Sequence, residues 1–284
     1  MKAPAYAYAR PRALEEAFNL LEQHGEQARI LAGGQSLIAM LNLRVAVPDI
    51  LVDITGIAGM DEIALSGGRL HIGALVRHRE IERSAVVAQH CPLLSQAAPH
   101  VAHVAIRNSG TFGGSIALAD PAAEWPACCL ALDAEFRLVS RKGERRVRAR
   151  EFFKGLYATD LRPGELIAGI EIPLTPGYRS AFLELSRRHG DYAIVGLAAL
   201  AKNEGGRLRD VRLAYLGAGS TPILALHAMQ AAQGRPPLDV DLSTDLRAAL
   251  DRDLSPMADL ESGVQTKLHL AGVLTGRALA LLAG

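Results

Sequence analysis

Apolar residues recur at helical spacing near the start of the chain, and short apolar runs lie on both sides of that segment. Every third or fourth position between 14 and 21 is apolar, which predicts a helix over 11–24 with Pro11 at its first position. Further elements are predicted as strands over 6–9, 28–32 and 50–54 and a helix over 37–43. This alternation predicts a small βαβ-like lobe in which loops follow the carboxyl ends of parallel strands.

The pattern changes after residue 56 to short strands and helices around a glycine-rich centre. The predicted strands cover 62–65, 69–72, 135–140, 145–149 and 166–172, and the predicted helices cover 77–84, 92–101 and 124–131. The first two strands flank Ser66-Gly67-Gly68 and are typical of a hairpin. Pro173–Gly177 is the clearest linker in the sequence. We therefore place a domain boundary between residues 175 and 176.

Three strand-like runs and then three helical stretches fill the C-terminal part. The predicted strands cover 179–188, 192–202 and 207–217, and the predicted helices cover 222–233, 241–254 and 261–282. Strands followed by helices predict an α+β unit with a three-stranded antiparallel sheet. The predicted fold class is therefore α+β (mixed α/β), with a two-lobed domain at 1–175 (lobes 1–56 and 57–175) and a C-terminal domain at 176–284.

Two glycine-rich segments are the candidate ligand-binding loops. The first is Ala32–Leu37 (AGGQSL) and the second is Gly110–Ser115 (GTFGGS). Glycine lets backbone N–H groups approach a ligand closely, and consecutive N–H groups with Ser or Thr hydroxyls bind anions. The first segment does not have the spacing of the usual dinucleotide or P-loop motifs. Two such loops favour one ligand with two linked phosphates, whereas the second loop alone could equally be a glycine-rich turn between core segments.

Charge and composition exclude several other classes of protein. The 31 Lys and Arg residues nearly balance 30 Asp and Glu residues, so no strong attraction to nucleic acid is expected. The basic segment 141–150 lacks interleaved aromatic residues and favours a solvated hairpin over a nucleic-acid patch. Residues 1–12 lack an apolar signal core, and the run at 193–201 is too short to span a bilayer. We therefore expect no membrane insertion and a cytoplasmic location.

The cysteines do not form a metal-binding or disulfide pattern. Cys91, Cys128 and Cys129 show no C-x-x-C spacing, and an odd number argues against a disulfide framework. His100 and His103 lie three residues apart, but without nearby carboxylates they favour packing or surface roles over metal binding. We assign no catalytic residue and no metal site. Any redox chemistry then requires an organic cofactor or another chain.

The two glycine loops resemble the FAD-pyrophosphate loops of the flavin-binding medium subunits of molybdenum hydroxylases, a family that includes carbon monoxide dehydrogenase and xanthine dehydrogenase. Four further segments match this family in the same order: IGALVRHREIE (72–82), GELIAGIEIP (164–173), RRHGDYAIV (187–195) and TKLHLAGVL (266–274). The resemblance therefore covers nearly the whole chain. It implies a two-lobed FAD-binding domain of the PCMH/VAO-like type, followed by the family's C-terminal domain.

The resemblance also implies which residues bind FAD. They are Ala32, Gly33, Gly34, Gln35, Ser36 and Leu37 in the first loop, Thr111, Gly113, Gly114 and Ser115 in the second loop, Glu124, and Tyr192. By similarity, Glu124 hydrogen-bonds the cofactor and Tyr192 lies near the isoalloxazine ring. Without the resemblance, Glu124 is more simply a carboxylate at a helix N-terminus and Tyr192 a core strand aromatic.

Four positions depart from the family pattern. Gln35 stands where His or Asn is frequent, and Ser115 and Leu118 replace common Asn residues. Glu184 stands where relatives usually carry Lys, which reverses a charge. Either Glu184 lies near the flavin and lowers its reduction potential, or it faces solvent or pairs with an arginine three or four residues along.

The function implied by the resemblance is electron transfer within a larger complex. The partners would be a large molybdenum-cofactor subunit that oxidises the substrate and a small [2Fe-2S] subunit, in a higher oligomer. FAD on this chain would pass electrons from the iron–sulfur subunit to an external acceptor. The alternatives are a stand-alone FAD-dependent oxidase or dehydrogenase and a scaffold that has lost its flavin. The substrate and the acceptor do not follow from this sequence.

Overall fold

A computed structural model describes residues 2–237, 239–260 and 262–283. The helices are α1 Leu14–His24, α2 Leu37–Asn42, α3 His78–Arg83, α4 Ala85–His90, α5 Pro92–Ala97, α6 Val104–Arg107, α7 Phe112–Leu118, α8 Glu124–Ala131, α9 Ala149–Phe152, α10 Leu226–Ala232, α11 Val240–Asp253 and α12 Val264–Ala283. The strands are β1 Ala7–Ala9, β2 Ala28–Leu31, β3 Ile50–Asp53, β4 Ile63–Ser66, β5 Arg69–Gly73, β6 Glu135–Ser140, β7 Gly143–Arg148, β8 Phe153–Gly155, β9 Ala158–Thr159, β10 Leu166–Pro173, β11 Arg179–Ser186, β12 Ala193–Glu204, β13 Arg207–Leu216 and β14 Ile223–Leu224. The mixed α+β fold class is confirmed.

The first lobe is a three-stranded parallel sheet in the order β1-β3-β2. Its helix α1 buries Ala17, Phe18 and Leu21, the apolar positions whose spacing predicted the helix. The predicted start at Pro11 is wrong, because α1 begins three residues later, after an extended Ala13. The Pro11 carbonyl lies against Gly56, where a Cβ would approach it to 2.9 Å. This contact accompanies the extended path of the chain into α1.

The second lobe contains a five-stranded sheet in the order β4-β5-β10-β6-β7, with all neighbours antiparallel. The basic segment lies in its β6–β7 hairpin, as predicted. Arg145 in β7 pairs with the carboxylates of Asp160 and Glu165, each at 2.7 Å. The sequence missed α4, which begins after Ser84, whose hydroxyl accepts a hydrogen bond from the Val87 amide at 3.2 Å.

The C-terminal sheet has the order β11-β12-β13-β14, with antiparallel neighbours throughout. The three predicted strands form it together with the two-residue edge strand β14, which the sequence analysis had placed in a helix over 222–233. That helix therefore starts only at Leu226. The last predicted helix is observed from Val264 onward, and Glu261, its predicted first residue, lies outside the described residues.

The C-terminal sheet buries both of its faces. One face packs against α10 and α12, and the other packs against α5 and α8 of the preceding domain. Phe182, Leu200 and Leu216 belong to the same apolar cluster as the core of residues 17–172. The two parts of the chain are therefore joined by a continuous core. No helix in the described parts of the chain is both long enough and apolar enough to cross a bilayer.

Candidate functional site

The two glycine-rich segments lie against each other. The first connects β2 to α2, and the second lies at the start of α7. A Cβ on Gly33 would lie 2.6 Å from the Gly110 Cα and would also collide with the Ser109 carbonyl oxygen. Only a residue without a side chain fits between the two backbones. Gly33 therefore lets the predicted ligand-binding segments meet.

The first segment presents unsatisfied backbone donors. Among the described residues, no acceptor is found for the N–H groups of Gly33, Gly34, Gln35 and Ser36. Gly34 adopts φ +72°, a left-handed conformation that glycine tolerates. The Gln35 side-chain amide donates to the Gly33 carbonyl at 3.0 Å, which ties down the turn. Ser36 occupies the N-cap position of α2, but its side chain makes no capping bond. The segment therefore retains the donors that an anion requires.

The second segment differs from the prediction, because Phe112–Leu118 form helix α7 rather than an open loop. The amide of Phe112 donates to the Val76 carbonyl at 2.8 Å, and that of Gly113 donates to the Ala74 carbonyl at 2.9 Å. The Gly114 amide donates to the Thr111 hydroxyl at 3.2 Å. These bonds use the donors that we expected to be free.

Gly113 and Gly110 are required by packing. A Cβ on Gly113 would lie 2.8 Å from the Ala74 Cα, and one on Gly110 would lie 2.7 Å from His78 Nε2. In the described chain the Thr111 N–H has no acceptor, so one free backbone donor remains in this segment. Ser115 lies in the first turn of α7 with its side chain partly exposed.

A buried His–Trp pair supports the second segment from below. The Trp125 indole N–H donates to His78 Nδ1 at 3.0 Å, so Nε2 carries the proton of the neutral ring. Burial lowers the pKa of His78 to about 4, and the positive charge of Arg107 adds to this shift. His78 is therefore an uncharged spacer between Trp125 and Gly110.

A second group of candidate residues lies beyond the C-terminal end of α7. Glu124 begins α8 and is buried, whereas Tyr192 precedes β12 and is 73% exposed. Desolvation of the hydroxyl end raises the pKa of Tyr192, and the charges of Asp120 and Glu124 raise it further. The buried carboxylate of Asp120 accepts a hydrogen bond from the Tyr157 hydroxyl at 3.3 Å. These four side chains form a carboxylate–tyrosine group.

Burial raises the pKa of Glu124 to about 7, and the charge of Asp120 raises it further. A hydrogen bond from the amide of Glu124 itself partly offsets this shift.

Glu184 lies near this group on β11. Its Oε2 is buried and has no hydrogen-bond partner. The alternative in which Glu184 faces solvent is therefore wrong. Burial and then the charge of Glu124 raise the pKa of Glu184 to about 8.

The structure thus divides the predicted site residues into two sets. Ala32–Leu37 and Thr111–Ser115 lie together, and Glu124 and Tyr192 lie together in the carboxylate–tyrosine group. Helix α7, about 10 Å long at 1.5 Å per residue, runs from Thr111 toward the segment that carries Asp120 and Glu124. Sequence reasoning missed Asp120 and Tyr157. The Asp-Pro pair that follows α7 was a usable signal for Asp120, whereas nothing in the sequence singled out Tyr157.

Two family models match the chain. Residues 4–175 match the model described as the FAD binding domain in molybdopterin dehydrogenase. Residues 180–282 match the model described as the CO dehydrogenase flavoprotein C-terminal domain. Together the two models cover the chain on both sides of the linker at Pro173–Gly177.

Full-length relatives show the same pattern. The chain is 39% identical over 282 residues to the 6-hydroxypseudooxynicotine dehydrogenase complex subunit alpha of Paenarthrobacter nicotinovorans, covering 99% of this chain and 95% of that protein. It is 36% identical over 278 residues to the glyceraldehyde dehydrogenase medium chain of Sulfolobus acidocaldarius, covering 98% of both proteins. The structure superposes on a chain of carbon monoxide dehydrogenase from Hydrogenophaga pseudoflava with a TM-score of 0.96 and 34% identity, covering 99% and 98% of the two chains.

Proposed function

The chain belongs to the FAD-binding medium subunits of the molybdenum hydroxylase family of oxidoreductases, and we propose that it transfers electrons through FAD within such a complex. In this proposal the chain holds FAD, whose redox chemistry would carry electrons from an iron–sulfur partner to an external acceptor. A cytoplasmic location and the assignment of individual residues to the cofactor are parts of the same proposal.

The observation that carries the proposal is the row of free N–H groups at Gly33–Ser36. Gly33–Ser36 are half-buried or exposed, and their four successive N–H groups lie in one turn just before α2, open to a ligand. Thr111, one residue after the Gly110 backbone that contacts Gly33, adds another free N–H. This cluster of donors fits a pyrophosphate, because each oxygen accepts hydrogen bonds from N–H groups without any need for a cationic side chain.

The carboxylate–tyrosine group fits the ring end of an extended dinucleotide. Asp120 and Glu124 follow the C-terminal end of α7, whereas Thr111, which carries one of the free N–H groups, caps its N-terminal end. Tyr192 is exposed and free to pack against an aromatic ring. When bound, FAD supplies one- and two-electron chemistry, and the residues of this chain orient it and set the charge around it. In this proposal no side chain acts as a general acid or base on a substrate.

The proposed partners are a large molybdenum-cofactor subunit and a small [2Fe-2S] subunit in a higher oligomer. Support comes from relatives whose names describe chains or subunits of dehydrogenases. In this arrangement, the substrate is oxidised on the large subunit and its identity is set there. The electrons would leave the complex from the cofactor that this chain holds.

Reconstitution tests the proposal. Purified chain supplied with FAD should retain about one flavin per chain and show bleaching of the flavin absorbance on addition of a reduced iron–sulfur partner. The chain alone should not oxidise aldehydes, purines or carbon monoxide. Turnover by partner-free protein would instead establish a stand-alone enzyme. Failure to retain FAD would establish a flavin-free scaffold.

A further inference from the structure

Glu184 places an unpartnered carboxyl oxygen at the boundary between the two domains. It lies on β11, two residues after Phe182, so the two side chains share the sheet face that packs toward the FAD-binding domain. Glu184 Oε2 is buried and accepts no hydrogen bond within the described structure. A buried carboxylate without a donor is costly, whereas the protonated acid carries its own donor.

A second buried carboxyl group, that of Glu124, belongs to the other domain. Glu124, at the first turn of α8, is close enough for its charge to act on Glu184. Asp120 adds a further negative charge next to Glu124. Two close carboxylates in a poorly solvated site do not both ionise at low cost, so such pairs retain a proton.

Among the described residues, Arg107 is a cation whose charge acts on Glu124, and its guanidinium is already paired. Arg107 is buried, pairs with the Glu82 carboxylate at 3.0 Å, and donates to three backbone carbonyls. Its charge acts on Glu124 but less than that of Asp120. Cys128, which also faces the pair, is a buried neutral thiol whose pKa is raised by burial first and then by its neighbours. The remaining neighbours, Tyr157 and Tyr192, are neutral phenols, and desolvation raises the pKa of each.

We propose that Glu124 and Glu184 hold at least one proton between them at neutral pH, with Glu184 as the neutral acid, and that this pair sets how the charge beside the flavin varies with pH. This inference rests on the proposed function, because it places the pair at the ring end of the FAD site. In this role Glu184 holds a proton close to the flavin and does not itself react with the substrate or the cofactor.

The pair also couples proton binding to electron arrival. Two electrons that arrive at the neighbouring cofactor add negative charge, which increases the proton affinity of both carboxyl groups. Up to one proton then moves from solvent water to a carboxylate oxygen for each electron pair. The same proton returns to solvent when the electrons leave. This proton is additional to the one that a flavin would itself take up from solvent on two-electron reduction, and the partner subunits would supply the electrons.

The first test needs no cofactor. Infrared spectra of the full chain at pH 7 should contain the carbonyl stretch of a protonated carboxyl group, lost on titration to high pH. Glu184→Gln should remove the part of this band that is lost near pH 8 and leave only the contribution of Glu124, whose pKa burial raises to about 7, whereas Glu62→Gln, which changes an exposed carboxylate in the β3–β4 connection, should leave the band unchanged. Glu124→Gln should shift the loss of the band to lower pH, because the repulsion on Glu184 is removed. A band identical in wild type and Glu184→Gln would overturn the inference.

The second test uses the FAD-loaded chain and reads its midpoint potential, not its activity. Around neutral pH, the midpoint potential of wild type should fall more steeply with pH than that of Glu184→Gln. The difference in slope should correspond to the uptake of up to one additional proton per two electrons. Equal slopes would overturn the coupling to the flavin. A chain that fails to bind FAD would refute the proposed function, while the infrared result would still decide whether the pair holds a proton.

Discussion

Gly33 shows how a single missing side chain organises a site. Its backbone lies against Ser109 and Gly110, so the two segments that we assign to the pyrophosphate share one boundary. The sequence singled out both segments by their glycine clusters. It could not show that Gly33 makes the close contact between the two segments as well as supplying one of the free donors.

Replacing Gly33 with Ala should therefore separate the two segments. The added methyl group collides with backbone atoms, which cannot rotate away, so we expect a loss of about 1–3 kcal/mol in the free energy of unfolding and much weaker FAD retention. Denaturant unfolding and flavin absorbance after desalting measure the two effects.

The matched control for this variant is Gly272→Ala. Gly272 lies within α12, and a Cβ there meets no atom within 4 Å. Alanine is the better helix former, so this variant should be unchanged or more stable by about 0.5–1 kcal/mol. If both variants retain FAD and stability equally, the close approach at Gly33 has no functional importance.

Glu184 should make the stability of the protein depend on pH. Its folded-state pKa of about 8 exceeds the ordinary value of 4.5, so the folded state keeps a proton that the unfolded chain has lost. This contribution is complete below pH 4.5 and disappears as the pH rises toward 8. The slope is at most about 1.4 kcal/mol per pH unit.

Glu184→Gln should therefore gain stability relative to wild type between pH 5 and pH 9, because glutamine has no proton to lose. Chemical unfolding at several pH values measures the difference, with Glu62→Gln as the exposed control. A difference that stays constant with pH would mean that Glu184 ionises freely in the folded protein.

At the scale of elements, α7 shows why a glycine-rich segment was predicted as a loop. Gly113 and Gly114 have poor intrinsic helix propensity. The helix forms because the amides of Phe112 and Gly113 donate to carbonyls of the 74–76 segment and Thr111 caps the first turn. The two bonds to the 74–76 segment are tertiary contacts, and a single sequence does not show them.

The cap at Thr111 is testable. Thr111→Ala removes the hydroxyl that accepts from the Gly114 amide, and we expect a loss of about 1 kcal/mol in the free energy of unfolding. Thr111→Ser keeps the hydroxyl and should recover most of that loss. Equal destabilisation by both substitutions would point to the buried Thr methyl group instead of the cap.

Elements with strong local signals were predicted well, and those fixed by distant contacts were not. Helix α8 has its predicted bounds at 124–131, and strand β6 has its predicted bounds at 135–140, because apolar residues and turn signals delimit both. Strand β14 was missed because it contains only Ile223 and Leu224, whose pairing with β13 has no local signature. The position of Glu184 was likewise undecided, since alternation along β11 does not show what lies opposite.

At the scale of the whole molecule, the two parts of the chain share a core. The linker follows β10, yet Phe182 and Leu216 from the C-terminal sheet pack within the apolar cluster of the FAD-binding part. Every residue of α8, which lies between them, is buried. The carboxylate–tyrosine group is built across this same boundary.

We therefore expect the full chain to unfold in one cooperative thermal transition. Separating the parts would expose the apolar surfaces of α8 and of the C-terminal sheet at once, which makes a half-folded state costly. Differential scanning calorimetry should give one peak whose calorimetric and van't Hoff enthalpies agree. Two resolved peaks would show that the domains are energetically independent.

Trp125, the single tryptophan of the chain, has a consequence for how the protein can be observed. It is fully buried, donates to the His78 ring beneath Gly110, and meets the Phe112 ring edge-on at 5.2 Å between centroids. Its fluorescence therefore comes from one fixed place directly behind the second glycine segment. Because flavins absorb light in the range where tryptophan emits, a bound flavin quenches this emission by energy transfer. The intrinsic fluorescence of Trp125 should therefore report how much flavin is bound, without an added label.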